Sequence, residues 1–123
     1  MLSHLIGSKT EINTENTILF IEDISEYLYN LDRMMIQMKR AGKLEKLAGL
    51  IVGQFTEMKD NTHPAFGKSA YEIIAGHVNT YTYPVCYDFP VGHVGDNRAM
   101  CIGMQAALDV NEEGVRVRFK EDE

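Results

Sequence analysis

Apolar positions along the chain fall into short blocks whose spacing changes from block to block. Ile18-Leu19-Phe20-Ile21 is a continuous apolar run, the pattern of a short strand buried on both faces. From Tyr27 to about Ala41, Leu28, Leu31, Met34, Met35 and Met38 recur at helical spacing, and Gly42 supplies a left-handed stop. Ser25 is the candidate N-cap, without a capping box because Leu28 stands at N3. Lys39 and Arg40 lie in the last turn, where the helix dipole favours cations. Ala48-Gly49-Leu50-Ile51-Val52-Gly53 predicts a second buried strand. Strand, helix and strand in that order predict a crossover unit, hence an α/β fold with a partly parallel sheet.

The rest of the pattern is less regular. Leu2, Leu5 and Ile6 share one face of what reads as a helix tail, stopped at Gly7, and a polar connector runs from Ser8 to Thr17. Gln54 to Phe66 reads as a polar loop. Lys68 to Asn79 reads as a second helix, with Tyr71, Ile74, Ala75 and Val78 on one side. Pro84-Val85-Cys86-Tyr87 predicts a third strand, its proline at the start, where a missing N–H does least harm. Ala99 to Val110 reads as an irregular strand, and Asn111 to Gly114 as a turn. Val115, Val117 and Phe119 alternate with Arg116, Arg118 and Lys120, which predicts a strand with one buried and one solvated face. Glu121-Asp122-Glu123 reads as a frayed charged tail.

A length of 123 residues predicts one domain, spanning 1–123, and the 45% hydrophobic and 24% charged content suits an ordered globular chain. A net charge of −6 disfavours a nucleic-acid partner, which would need surplus Lys and Arg. No apolar run approaches the ~20 residues of a membrane helix. The opening residues lack a signal-peptide pattern, so a cytoplasmic location is expected. Cys86 and Cys101 both sit among apolar neighbours and read as reduced core residues. No CxxC, HxxxH or HExxH spacing and no phosphate-binding glycine pattern occurs, so no metal and no cofactor are expected.

Two residues stand out as candidate chemistry. Glu22 directly follows the apolar strand, at the sheet end where α/β proteins build sites. A surface charge at a strand end would look the same. His93 lies between Gly92 and Gly95 in the irregular segment Phe89 to Asn97, a setting that can present a ring from a sharp turn but can also merely tolerate one. His4, His63 and His77 have blander positions, at the start, before Pro64 and near a helix end. Asp32 and Arg33 could orient another charge or form only an exposed pair. Glu22 and His93 could supply the orienting acid and the general base of nucleophilic catalysis. No serine sits in an elbow pattern: Ser3, Ser8, Ser25 and Ser69 all lack one.

Ile18 to Glu26, Leu31-Asp32-Arg33-Met34-Met35, Ala41-Gly42, Ala48 to Phe55, and Pro84 to Tyr87 leading into Phe89-Pro90-Val91-Gly92-His93 together resemble the serine LD-carboxypeptidase family. That family includes murein tetrapeptide carboxypeptidases and microcin C immunity peptidases. The resemblance runs from about Met1 to Val110 and covers only the C-terminal domain of a two-domain enzyme. It implies a swivelling β/β/α-type domain. It implies that an N-terminal domain absent from this chain carries the nucleophilic serine and the oxyanion hole, while Glu22 and His93 complete a Ser-His-Glu triad. It further implies a cytoplasmic, frequently homodimeric enzyme that removes terminal D-alanine from murein tetrapeptides in peptidoglycan recycling. This chain alone would then be inactive. Two other readings stay open: a self-associating, non-catalytic interaction module, and a microcin C immunity-type peptidase acting on an acyl-sulfamoyl nucleotide conjugate.

Overall fold

In a computed structural model, which describes residues 1–121, the two long apolar runs pair in parallel. Strand β1 (Ile18–Ile24) lies beside β2 (Gly49–Thr56), with Ile18 opposite Gly49 and Ile21 opposite Val52. A short β3 (Val85–Cys86) pairs parallel to the far side of β2, giving the order β1-β2-β3. Helix α1 (Leu28–Arg40) is the crossover between β1 and β2, as the periodicity predicts. Helix α2 (Ala70–Val78) leads from β2 towards β3. A hairpin of β4 (Ala106–Asn111) and β5 (Gly114–Phe119) forms a separate antiparallel sheet. The parallel and antiparallel strands of this α/β fold thus belong to two sheets. A 3₁₀ turn, Leu2–Leu5, stands where the helix tail is expected.

The two helices cover one face of the parallel sheet. Leu19, Leu50 and Val52 meet Leu31, Met35, Met38, Ile73, Ile74 and Val78 in a single core. Met35 and Leu50 are completely buried, so truncating Met35 to Ala would cost about 2–5 kcal/mol. Ile51, Cys86 and Val91 are buried outside that cluster, on the other face. There Leu108 of β4 lies so close to Gly49 that a Cβ on the glycine would come within 2.8 Å of it. Through Leu108 the hairpin thus reaches the face of the parallel sheet opposite the helices.

Helix ends follow local hydrogen-bond chemistry, not always as the sequence predicts. Ser25 is not the cap of α1: it has a positive φ of 58°, and its hydroxyl lies 3.0 Å from Glu57 Oε2. Tyr27 occupies the cap position, and the Leu28 N–H donates instead to the Lys59 carbonyl at 2.9 Å. At the other end Gly42, at φ 73°, completes a paired closure. Lys43 N–H donates to Met38 O, and Gly42 N–H to Lys39 O. In α2 the Ser69 hydroxyl accepts the Glu72 N–H at 3.2 Å.

Other expectations are corrected. The buried face of α2 is Ala70, Ile73, Ile74 and Val78, with Tyr71 and Ala75 only half-buried. Tyr71 stays at the rim because its hydroxyl donates to Asp88 Oδ1 at 2.9 Å. Strand β4 starts at Ala106, not Ala99, and Cys101, in the irregular stretch before it, is exposed and free instead of core. Cys86 is free and buried. The apolar side of β5 is poorly covered: Val115 is 41% exposed. Of the expected frayed tail, Asp122 and Glu123 lie outside the described residues. Among the described residues, no helix is long and apolar enough to cross a membrane.

Candidate active site

Glu22 does not follow β1; it lies within it, at an irregularity in the pairing with β2. Ile21 pairs with Val52 but Asp23 pairs with Phe55, so Gly53 and Gln54 together oppose the single residue Glu22. This is a bulge on the β2 side, a device that re-aims side chains. The carboxylate points away from the helices, towards the segment after β3. That segment is docked onto β2 by two backbone bonds: Phe89 N–H donates to Val52 O at 3.1 Å, and Gln54 N–H to Val91 O at 2.9 Å.

Two glycines permit the close approach. A Cβ on Gly53 would sit 2.6 Å from the Val91 carbonyl oxygen and 3.2 Å from Glu22 Cβ. Gly92 has φ 145°, and a Cβ there would sit 3.0 Å from the Gln54 carbonyl oxygen. With both side chains absent, the loop turns at Gly92 and delivers His93 to the carboxylate. His93 Nδ1 lies 3.1 Å from Glu22 Oε2.

The acid is more enclosed than the base: side-chain exposure is 26% for Glu22 and 56% for His93. A carboxylate accepts, so the contact selects the neutral ring tautomer with its proton on Nδ1. Nε2 is then left with a lone pair, on a ring more than half exposed. Such a pair can take a proton from a hydroxyl brought to Nε2, while the carboxylate stabilises the imidazolium that results. Asp23 is used differently, since its carboxylate accepts the Ile24 N–H at 2.8 Å. Glu22 and Asp23 also border a cavity of about 330 Å³ lined by the 3₁₀ turn, β1 and α1.

Among the described residues, none of the four serines singled out by sequence is hydrogen-bonded to His93. Ser8 donates to the Leu5 carbonyl, Ser25 bonds Glu57, Ser69 caps α2, and the buried Ser3 hydroxyl has no partner. No cluster of three metal-ligating side chains occurs among those residues either. His4 and His63 are exposed. His77 is not a bland helix-end residue: its Nε2 lies 2.7 Å from Asp32 Oδ1, joining α2 to α1. The sequence singles out both residues but gives no signal that they meet across two helices. It also gives no hint of Gly53 and Gln54 as the residues of β2 on which the His93 loop is docked. Nearby, burial and the hydrogen bond to Asp88 push the Tyr71 phenol up, and burial does the same to Tyr87.

The chain is 33% identical over 115 residues to the "Probable murein peptide carboxypeptidase" of Bacillus subtilis, covering 91% of this chain and 35% of the relative. The chain thus spans about a third of the length of that relative. The crystal structure of muramoyltetrapeptide carboxypeptidase from Oxalobacter formigenes superposes with a TM-score of 0.82 at 28% identity, covering 95% of this chain and 40% of that one. The microcin C7 self-immunity protein shares the fold, with a TM-score of 0.61 at 23% identity over 73% of this chain and 26% of its own. The LD-carboxypeptidase C-terminal domain family matches residues 1–108, and with the fold and the relatives in agreement, the chain belongs to that family.

Proposed function

We propose that residues 1–123 act as the C-terminal domain of a serine LD-carboxypeptidase, with Glu22 and His93 as two members of its Ser-His-Glu triad. The observation that supports this most directly is the 3.1 Å contact between Glu22 Oε2 and His93 Nδ1, on a ring whose side chain is 56% exposed. In this reading, a serine of the N-terminal domain attacks the carbonyl that joins an L-centre to a terminal D-alanine in a murein tetrapeptide. His93 Nε2 takes the hydroxyl proton and passes it to the leaving amine. Water then attacks the acyl-enzyme, again with His93 as base. Glu22 holds the ring tautomer and stabilises the imidazolium. The chain by itself carries out none of these steps. The reading extends to a cytoplasmic, homodimeric enzyme of peptidoglycan recycling, and it needs no cofactor and no metal.

The test is Glu22→Gln in the longer enzyme. In the Ser-His-Asp template, replacing the acid by its amide costs about 10⁴-fold in kcat, or ~5–6 kcal/mol of barrier. The same loss is expected here with KM little changed, measured as D-alanine release from a murein tetrapeptide. Activity within tenfold of wild type would remove Glu22 from the triad.

A further inference from the structure

The His93 loop closes on itself through two bonds that straddle the histidine. Arg98 N–H donates to the Pro90 carbonyl at 2.8 Å. Gly92 N–H donates to Asn97 Oδ1 at 3.1 Å. The first bond closes the ring of backbone, and the second fastens the residue immediately before His93 to a side chain immediately after the turn. Between them, His93 to Asp96 receives little other support. Gly95 has no neighbour within 4 Å of where its Cβ would stand, and the Asp96–Arg98 ion pair is long at 3.6 Å and about two-thirds exposed at both ends.

Gly92 is also where the loop is most constrained. It has φ 145°, and a Cβ added there would meet the Gln54 carbonyl oxygen at 3.0 Å and Glu22 Oε2 at 3.5 Å. The Gly92 N–H belongs to the Val91–Gly92 peptide, whose carbonyl accepts the Gln54 N–H at 2.9 Å, so the Asn97 oxygen completes a grip on both ends of the peptide that precedes His93. Rotation of that peptide about the glycine, which imposes little torsional resistance of its own, would carry the ring off Glu22, and an acceptor on the Gly92 N–H opposes it.

We infer that Asn97 is a positioning residue: its side-chain amide oxygen, by holding the Gly92 N–H, keeps His93 Nδ1 on Glu22 and so keeps the lone pair on Nε2. Asn97 touches neither the ring nor the carboxylate in this role. It acts through the backbone of Gly92. The inference deepens the proposed function, since its consequence for turnover rests on the Glu22–His93 pair being catalytic; its consequence for ring geometry does not.

The experiment is ring ¹⁵N NMR of His93 in this chain, as wild type, Asn97→Ala and Asn97→Asp. Wild type is expected to show mainly the Nδ1-protonated neutral tautomer. Asn97→Ala should shift His93 towards the Nε2-protonated form that free histidine favours, while the amide spectrum of β1, β2 and α1 stays unchanged. Asn97→Asp keeps an acceptor for the Gly92 N–H and should restore the wild-type tautomer. Should Asn97→Ala fail to fold, amide exchange in the wild type decides, with the Gly92 N–H expected to be protected. An unchanged tautomer in Asn97→Ala, equal disturbance in both variants, or an unprotected Gly92 amide overturns the inference. In the longer enzyme, Asn97→Ala should lower kcat by about 10²-fold, the scale of a misplaced catalytic group, with KM unchanged and Asn97→Asp recovering most of it. A shifted tautomer with undiminished kcat would leave the positioning intact and sink the catalytic role of the pair instead.

Discussion

Cys86 and Cys101 have the same chemistry and opposite surroundings. Burial in β3 pushes the Cys86 thiol up, so at neutral pH it carries less of the reactive thiolate than a free cysteine would. Cys101 is exposed. Iodoacetamide at neutral pH is therefore expected to label Cys101 in the folded chain and to reach Cys86 only on unfolding, read by peptide mass mapping. Equal labelling of the two in the native state would contradict this burial. Their difference was hidden in the sequence, where both have apolar neighbours: Ile102 and Met100 mark no core, and Ile102 is 79% exposed. Glu22 and His93 are legible as candidates by residue type and setting, and it is the family resemblance, not their spacing, that implies they meet. A separation of 71 positions carries no distance, and the ring reaches the carboxylate only because Gly53 and Gly92 offer no side chains.

Elements carried by strong periodicity were the most legible. Helix α1 lies within one residue of its expected ends, since five apolar positions at helical spacing and a glycine stop agree. Its cap is not Ser25, because the N–H of Leu28 is satisfied by a backbone carbonyl 31 residues away, at Lys59, which no local signal announces. The bulge opposite Glu22 was equally silent, because Gly-Gln within an apolar strand does not reveal two residues facing one. That bulge makes Gly53 the most exacting position in β2. Gly53→Ala would drive a methyl to 2.6 Å from the Val91 carbonyl and 2.8 Å from the Phe20 ring. Overpacking of this kind costs typically ~1–3 kcal/mol. Chemical denaturation is expected to show that loss, together with separation of the Glu22 and His93 resonances from their wild-type shifts. Wild-type stability in this variant would mean the loop does not press on β2 as described.

For the molecule as a whole, the strand-helix-strand order was enough to indicate a parallel sheet, while the two-sheet division was not. Alternation in Val115, Val117 and Phe119 says that one side is apolar, not what covers it. The hairpin's apolar side is in fact thinly covered, with Val110 37% and Val115 41% exposed, whereas β1, β2 and the two helices share one dense core. Stability should be graded accordingly. Hydrogen exchange is expected to be slowest for Leu50–Val52 and the Leu31–Met38 stretch of α1, and faster throughout β4 and β5. Uniform protection across both sheets would show that the hairpin is locked to the rest. The register of β1 against β2 has one more effect, on which length changes the chain can absorb. Side chains in a strand alternate sides, so deleting a single residue between Ile18 and Glu22 would turn the glutamate under the helices and send a neighbour out in its stead. Viable insertions and deletions among natural variants should therefore cluster in the Ser8–Thr17 connector and the Glu57–Lys68 loop, and avoid the four positions 18–21 leading up to the carboxylate.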